Sequence, residues 1–335
     1  MARRRGESGL SLLVGVDKPS GMSSHDVVNR VRRIFGERRV GHTGTLDPLA
    51  SGVLLVGIGP ATRLDSYLVG HDKRYLARIS WGYSTDTDDA EGAVTATGEV
   101  SEGLLDADFA QRYLDGLVGD RKQLPPVYSA LKVNGRKACD EARRGNVIEL
   151  APRDISVYEA RLAGIGTPED PYWDVELHVS SGTYIRSIAR DAGVELGCPA
   201  HLSRLRRTSV GRLSIDDCVS LDTLEEVGER ATLDPVMLLG FRFLFARGKL
   251  AEAISHGNPL KGRVALYERR WPGVDAQMCA CTSGVFESPE EPRDGELVSV
   301  VSDGKLEALY EYSAARSAFT AKCVFNVGVS RGEAL

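Results

Sequence analysis

Two stretches of the chain alternate between apolar and polar residues. In residues 73–81, and again in residues 172–179, apolar side chains occupy every second position. Because successive side chains of a strand point to opposite faces, each stretch should bury one face of a sheet. Two further runs, residues 10–16 and 53–58, are almost continuously apolar, which is typical of strands buried on both faces. The pattern therefore predicts four strands.

A period of three to four residues indicates helices between the strands. Residues 24–35 gather their valines on one face, and Ser24 is the predicted N-cap. Residues 106–117 and a segment that opens at Ser181 show similar apolar faces, and residues 216–239 are acidic and helical in pattern. The pattern therefore predicts helices and strands within one stretch of chain.

The last third of the chain has a different pattern, with short strands separated by glycine turns. Residues 296–301 and 306–312 flank Ser302-Asp303-Gly304, and a strand followed by Asp-Gly and a second strand predicts a hairpin. We therefore predict two domains. The first, with both helices and strands, spans residues 1–239, and a small β-barrel spans residues 240–335.

Residues 39–54 carry the most specific candidate chemistry. Asp47 stands between a glycine-rich approach and an apolar run, and Pro48 disfavours helical backbone at Asp47. The glycines permit backbone conformations that are closed to other residues. From the local pattern alone, two interpretations stay open: a turn that Asp47 caps, or a shaped loop that presents a reactive carboxylate.

This stretch resembles the active-site motif of the TruB family of tRNA pseudouridine synthases. From Gly41 to Leu54 it matches G-H-x-G-x-L-D-P-x-A-x-G-x-L at every fixed position. The other segments that resemble family motifs are Lys18-Pro19, Lys73-Arg74-Tyr75, residues 85–92 (T-D-T-x-D-A-x-G), residues 125–132 (P-x-x-Y-S-A-x-K), residues 182–187 (G-T-Y-I-R-[ST]) and Leu205-Arg206-Arg207. Cys139 departs from the family, which usually has tyrosine there, and this bears on local packing or RNA contact rather than on the chemistry.

The resemblance implies roles for individual residues. Asp47 would be the nucleophile, Arg186 the partner that keeps it ionised, and Tyr75 the ring that stacks on the target uracil. The remaining implied site residues are His42, filling the space that the flipped base vacates or contacting the flipped nucleotide, Tyr184 and Leu205 around the pocket, Lys18 and Pro19 bracing the catalytic loop, and Asp89, Lys132 and Arg206 supporting the site or contacting RNA. Attack of Asp47 on the base, attack on the sugar and removal of a ribose proton stay open.

The resemblance also implies a fold and a reaction. The fold is the α+β pseudouridine synthase fold, a mixed and mainly antiparallel central sheet flanked by helices and loops, followed by a PUA-like RNA-binding β-barrel. The reaction converts uridine to pseudouridine in tRNA, with uridine 55 of the T-loop as the expected target, after the base leaves its stack. It needs no cofactor and no metal, and its partner is the tRNA T-arm.

Pattern alone favours a plainer role for several of these residues. A tyrosine on the buried face of a strand, such as Tyr75, is more typical of a core than of a catalytic group. Arg186 on a helix is more typical of a solvated surface. The cluster of oxygen-bearing side chains in residues 85–92 is similar to a calcium loop but lacks the required spacing of its ligands.

The net charge of −5 argues against a nucleic-acid partner, but the distribution of the charges along the chain changes that conclusion. Residues 1–48 hold nine Lys or Arg and five Asp or Glu, and residues 183–213 hold six and two, whereas residues 214–239 hold one and seven. Two basic blocks in an acidic chain would suit one RNA-binding face. They would equally suit solvated helix surfaces.

Cysteine spacing and hydropathy indicate the cellular compartment in which we expect the protein. The six cysteines form no C-x-x-C pair, so neither a zinc ribbon nor a disulfide framework is indicated. No apolar run approaches the roughly 20 residues that span a bilayer, and the first residues lack the apolar region of a signal peptide. We expect a cytoplasmic monomer with no membrane partner.

Three other functions stay open at this point. The chain could be an RNA-binding or RNA-folding protein with an inactive core. It could be a glycosidase-like hydrolase, although that class generally uses a second carboxylate, and none has a placement comparable to that of Asp47. It could also be a relative of the same fold that depends on a guide RNA.

Overall fold

The computed structural model describes residues 8–129, 131–133, 136–137, 144, 150–262, 264–269 and 285–332. The strands are β1 Leu12–Lys18, β2 Val40–His42, β3 Ser51–Ile58, β4 Lys73–Trp81, β5 Tyr83–Thr85, β6 Val94–Thr97, β7 Gly119–Gln123, β8 Lys132–Val133, β9 Arg136–Lys137, β10 Arg153–Ile165, β11 Tyr172–Val179, β12 Ala200–Val210, β13 Leu213–Ser214, β14 Thr232–Leu233, β15 Arg242–Phe245, β16 Leu260–Lys261, β17 Tyr267–Arg269, β18 Val285–Glu287, β19 Leu297–Ser302, β20 Lys305–Ser313 and β21 Ala318–Ser330. The helices are α1 Ser24–Phe35, α2 Asp65–Leu68, α3 Ala107–Asp115, α4 Ile185–Glu195, α5 Leu221–Val227, α6 Pro235–Leu239 and α7 Lys249–Ser255.

A large sheet forms the first part of the molecule. Its strands follow the order β14-β1-β3-β12-β4-β11-β10-β7, with β2 paired to β3 and β13 paired to β12. The pairing of β12 with β3 is parallel, and the other pairs in this sheet are antiparallel. The prediction of a mixed and mainly antiparallel central sheet is confirmed.

One face of this sheet is packed beneath α3 and α4. The alternation predicted in β4 and β11 is confirmed, because Tyr75 and every second residue after it are buried, as are the alternate residues from Trp173 onward. Trp81 and Trp173 meet edge to face with their ring centroids 4.7 Å apart. These side chains join residues of the two helices in one hydrophobic cluster, which fixes the position of α4 over the sheet.

Helix α1 spans the predicted residues but begins with a different cap. Ser23, not Ser24, is the N-cap: it accepts a hydrogen bond from the Asp26 backbone amide, and Asp26 returns a capping-box contact. Ser24 was the wrong choice because its hydroxyl is buried and bonds to a distant loop instead. Gly36 ends the helix in the left-handed conformation.

The last part of the chain forms a second sheet in the order β16-β21-β20-β19-β15-β17-β18. The predicted hairpin is present, since Ser302 pairs with Lys305 and the turn residues Asp303 and Gly304 both have positive φ. Register shifts interrupt both the β19·β20 and β20·β21 pairings, and such bulges bend a sheet.

The two sheets are joined by a common hydrophobic cluster. Leu13 and Val53 of the large sheet and Leu309 and Phe325 of the second sheet belong to it, together with side chains of α6. The end of β21 also returns to the start of the chain, where the Ser330 amide donates to the Ser11 carbonyl. The division at residues 239 and 240 stays a prediction.

Two predicted helical segments differ from the structure. The segment expected to open a helix at Ser181 forms a turn, and α4 begins at Ile185. Residues 216–239 are divided into α5, α6, short 3-10 turns and the strand β14. Gly228, at the end of α5, has a φ of 57° and breaks the helical pattern. Cys139 lies outside the described residues.

Candidate active site

An ion pair between Asp47 and Arg186 stands at the centre of the candidate site. Asp47 lies in the loop between β2 and β3, and Arg186 lies in the first turn of α4. Arg186 Nε is 2.9 Å from Asp47 Oδ2. The arginine side chain is only 6% exposed and that of Asp47 is 38% exposed. The buried guanidinium therefore holds one side of the Asp47 carboxylate, and a ligand can reach the carboxylate from its solvent-exposed side.

A second carboxylate shares the same guanidinium. Asp89 Oδ2 lies 3.6 Å from Arg186 Nη1 and its side chain is buried. The Thr87 hydroxyl and the Glu91 amide donate to the other Asp89 oxygen, Oδ1. The sequence interpretation gave Asp89 only a supporting or RNA-facing position and found no second carboxylate comparable to Asp47. The structure places Asp89 beside Arg186 in the protein interior.

Backbone carbonyls complete the coordination of Arg186. Its Nη1 donates to the Thr87 carbonyl at 3.0 Å, and its Nη2 donates to the Tyr128 carbonyl at 2.9 Å. All three guanidinium nitrogens therefore have acceptors, so rotation of the side chain away from Asp47 would break several bonds at once. The planar fork of arginine, rather than a single positive charge, is what this arrangement uses.

Opposing effects set the ionisation of Asp47. Burial raises the pKa of the Asp47 carboxyl above its ordinary value, the Arg186 guanidinium counteracts this, and the Asp89 charge raises it further. Lys18 also favours the ionised form of Asp47. The net direction is upward, so Asp47 holds its proton to a higher pH than an exposed aspartate would.

The backbone around Asp47 is held from two sides. The Ser24 hydroxyl bonds to the backbone of Leu46, accepting from the amide at 2.8 Å and lying 2.9 Å from the carbonyl oxygen. Lys18, which is fully buried, donates to the carbonyls of Pro19 and Pro48, and burial lowers its pKa to about 8. Lys18 therefore contacts the backbone next to Asp47, and the bracing role of Lys18 and Pro19 stays a prediction. The contribution of Ser24 was not predicted, because its partner is distant in sequence.

Tyr75 and Leu205 are buried apolar neighbours of the residue that precedes Asp47 in the sequence, through a shared hydrophobic cluster. Tyr75 is 7% exposed and Leu205 is 9% exposed, and both belong to the hydrophobic cluster that includes Leu46, the residue before Asp47. Tyr184 immediately precedes α4, and burial raises the pKa of its hydroxyl. It is close enough to Arg186 and Asp47 for both charges to act on that pKa.

The other residues predicted for the site occupy varied positions. His42 ends β2, its Nδ1 is buried without a hydrogen-bond partner within the described part of the chain, and burial together with Arg207 lowers its pKa. Arg206 pairs with Asp17 at 2.8 Å, so its charge is engaged at the base of the Lys18 turn. Lys132 begins the short hairpin of β8 and β9, and its side chain lies outside the described portion.

Neither a metal cluster nor a membrane helix is found in the part of the chain that the structure describes. No group of three or more His, Cys, Asp or Glu residues in those ranges has a geometry that could hold a metal ion. None of the described helices combines the length and the hydropathy that crossing a bilayer requires.

Two family models match consecutive parts of the chain. Residues 32–185 match the N-terminal domain of the TruB family pseudouridylate synthases. Residues 186–238 match the C-terminal domain of tRNA pseudouridylate synthase B. The first match contains Asp47, Tyr75 and Asp89, and the second begins at Arg186, so the ion pair links the two matched regions.

Curated relatives extend the similarity over most of the chain. A protein from Mycobacteroides abscessus named tRNA pseudouridine synthase B is 46% identical over 270 residues, which cover 79% of this chain and 88% of the relative. Proteins of the same name from Mycobacterium leprae and Deinococcus radiodurans are 43% and 39% identical, covering 87% and 76% of this chain and 87% and 92% of the relatives.

Solved structures share the fold at low sequence identity. A Cbf5-Nop10-Gar1 complex contains a chain that superposes with a TM-score of 0.62 at 21% identity, covering 97% of this chain and 87% of that one. A chain of an H/ACA RNP bound to a substrate RNA containing 2'-deoxyuridine superposes with a TM-score of 0.61, also at 21% identity, covering 94% and 84%. These similarities support the predicted fold class over nearly the whole chain.

Proposed function

This chain belongs to the TruB family of tRNA pseudouridylate synthases, and on that basis we propose that it isomerises uridine 55 in the tRNA T-loop, with Asp47 as the nucleophile. The observation that carries the proposal is the Asp47–Arg186 pair at 2.9 Å, in which the Arg186 side chain is 6% exposed and that of Asp47 is 38% exposed. The reaction breaks the bond between N1 and the ribose, turns the uracil, and joins C5 to the same ribose carbon. No atoms are gained or lost.

The reaction begins with extrusion of the uridine from its stack, at a cost of a few kcal/mol. In our proposal Tyr75 provides the compensating surface, because stacking of a base on an aromatic ring contributes about 1 to 3 kcal/mol. Leu205 and Tyr184 enclose the base, and His42 contacts the flipped nucleotide or the space that it leaves. The neutral form of His42, favoured by its lowered pKa, suits an apolar environment of this kind.

The catalytic step uses the ionised carboxylate of Asp47. Arg186 stabilises that form, and Asp89 with the surrounding carbonyls keeps the guanidinium aligned. Attack on the base, attack on the sugar and removal of a ribose proton all require the same ionised group at the same position. The proton at C5 must leave after rejoining, and Tyr75 is the candidate to handle it.

Contacts with tRNA outside the pocket are assigned to basic residues and to the C-terminal region. Arg33 and Arg38 are exposed at the end of α1, within the first basic block of the sequence. We assign residues 240–335 to a PUA-like module that binds RNA. Phosphate contacts of this type make the affinity for tRNA fall steeply as the salt concentration rises. The proposed enzyme is a cytoplasmic monomer.

The test is pseudouridine mapping on unmodified tRNA transcripts. Purified protein is incubated with a transcript that carries uridine 55 and with one that carries cytidine there, and Asp47→Asn serves as the inactive control. The proposal predicts pseudouridine at position 55 of the first transcript, none in the second, and none with the variant.

Other outcomes favour the alternative functions. Release of free uracil would indicate a hydrolase, and modification at another position would contradict the choice of uridine 55. Binding without modification of the bare transcript would indicate an inactive core or a dependence on guide RNA.

A further inference from the structure

Arg207 is a fully buried arginine at the centre of the large sheet. It lies on β12 and is 1% exposed. In the sheet register it pairs with Gly52 of β3 on one side and with Tyr75 of β4 on the other. Arg207 therefore stands between the strand that follows the Asp47 loop and the strand that carries the proposed stacking ring.

The side chain of Arg207 bonds to both ends of the Asp47 loop. Its Nε donates to the Val53 carbonyl at 2.8 Å, and its Nη2 donates to the Gly44 carbonyl at 3.1 Å. Asp47 lies between these two acceptors in sequence. One guanidinium thus joins Gly44, which precedes Asp47 in the loop, to Val53 near the start of β3.

The backbone of Arg207 fixes the same loop by close packing. Gly52 has a φ of 102°, and a Cβ atom built on it would lie 2.1 Å from the Arg207 carbonyl oxygen. A side chain at position 52 would force β3 away from β12. Glycine therefore permits the close approach that lets the guanidinium reach both carbonyls.

The charge of Arg207 has no acidic partner in the described residues, where it forms no ion pair within 4 Å. A buried cation without a carboxylate is costly, and carbonyl groups must stabilise it. It also lies near other basic groups, since it lowers the pKa of His42, Lys18 and Lys73. An apolar residue at position 207 would avoid this cost. Arginine differs from an apolar residue in donating to two carbonyls at once, and this is the feature that explains its presence here.

We propose that Arg207 is a positioning residue for pseudouridine formation, closing residues 44–53 into a fixed loop so that Asp47 meets the uracil in a single geometry. The inference rests on the proposed function of Asp47. It goes beyond that function by assigning the loop geometry to a residue that touches neither the pair with Arg186 nor the substrate.

The role of Arg207 can be tested with the substitution Arg207→Lys, which keeps the charge but offers one nitrogen in place of two separated donors. Arg161→Lys is the matched control, because Arg161 lies on β10 of the same sheet and its exposed side chain pairs with Glu176. Wild-type and variant enzymes are compared in single-turnover modification of tRNA and in equilibrium binding of the same tRNA.

We expect the single-turnover rate of Arg207→Lys to fall by about 10-fold to 100-fold, because small misplacements of a catalytic group have effects of this size. The dissociation constant for tRNA should change by less than about threefold, and Arg161→Lys should behave as wild type. A rate for Arg207→Lys within about twofold of wild type, or a loss explained by tRNA binding alone, would overturn the proposal.

Hydrogen exchange provides a readout that does not depend on activity. In wild-type protein the hydrogen-bonded loop amides of Leu46 and Ala50 should exchange slowly, and in Arg207→Lys they should exchange faster while β10 and β11 are unchanged. Rapid exchange of the loop in wild-type protein, or an equal increase throughout the sheet in the variant, would contradict the inference. Absence of pseudouridine with wild-type protein would instead refute the proposed function.

Discussion

Asp47 and Asp89 share one guanidinium, that of Arg186, although they come from separate loops of the large sheet domain. Asp47 Oδ2 is 2.9 Å from Nε and Asp89 Oδ2 is 3.6 Å from Nη1. Asp89 is buried and bonded to its own loop, whereas Asp47 is accessible. The two acids are therefore unequal: Asp89 is enclosed by its own loop, and Asp47 is the carboxylate that solvent can reach.

Asp47→Asn should abolish pseudouridine formation and leave tRNA binding intact. The amide keeps the size of the side chain but loses the charge and the nucleophilicity of the carboxylate. Loss of a nucleophile lowers turnover by at least about a thousandfold in well-studied enzymes. Single-turnover assays with mapped tRNA, together with filter binding, would check this. Turnover at the wild-type rate would exclude Asp47 as the nucleophile.

Arg186→Lys should be almost as inactive as Arg186→Gln, despite its retained charge. The guanidinium serves Asp47 and the carbonyls of Thr87 and Tyr128 through separate nitrogens, which a single ammonium cannot reproduce. We expect a loss of at least about 100-fold in kcat for both variants. Steady-state kinetics of the two variants is the measurement. If the positive charge alone mattered, Arg186→Lys would keep most of the activity that Arg186→Gln loses.

Asp89→Asn should reduce kcat less than the changes at Asp47 or Arg186. The amide keeps a side-chain oxygen beside Arg186 but removes the charge, so the guanidinium loses alignment rather than its principal partner. We expect a decrease of about tenfold. The measurement is kcat with saturating tRNA. Equal losses for Asp89→Asn and Asp47→Asn would show that both acids react directly.

The acid limb of the pH profile should reflect the raised pKa of Asp47. Because burial raises that pKa above 3.8, the required carboxylate is lost at a higher pH than in an exposed aspartate. Activity should thus fall with decreasing pH through a midpoint above 3.8, and Arg186→Gln should move the midpoint of its residual activity upward. Single-turnover rates across pH, in a range where the tRNA stays folded, would measure both midpoints. A downward movement would contradict the assignment.

Substitution of Gly52 by alanine should destabilise the protein much more than substitution of Gly21. Both glycines have positive φ, but alanine at 52 would also place its Cβ 2.1 Å from a carbonyl oxygen, whereas no heavy atom lies within 4 Å at 21. We expect Gly21→Ala to cost about 1 kcal/mol and Gly52→Ala more than about 3 kcal/mol. Denaturant unfolding of the two variants is the test, and equal losses would contradict the close approach of β3 and β12.

The sequence predicted local elements well where one pattern dominated. The strands β4 and β11 match the predicted residues, because alternating apolar side chains at a sheet surface leave little freedom of register. The acidic residues before the second sheet were less predictable. Their helical pattern is interrupted by Gly228 and by contacts with β1, which residue periodicity does not record.

The candidate site was predictable only in part. Motif resemblance identified Asp47 and Arg186, but their proximity arises from tertiary packing. The positions of Ser24, Asp89 and Arg207 depend on contacts with distant loops, and local sequence gave Ser24 a different role. Arg207 gave no separate signal, because Arg204 and Arg206 lie in the same strand and periodicity does not show which of the three is buried.

The return of β21 to the first strand has a consequence for substrate choice. The Ser330 amide bonds to Ser11, and Arg331 pairs with Asp234 at 2.6 Å, so the second sheet is tethered at its far end as well as through the common cluster. Such a double attachment resists hinge bending. An RNA that contacts both parts would have to fit a fixed distance between them. Only an RNA whose two contact points lie at that distance could bring its uridine to Asp47.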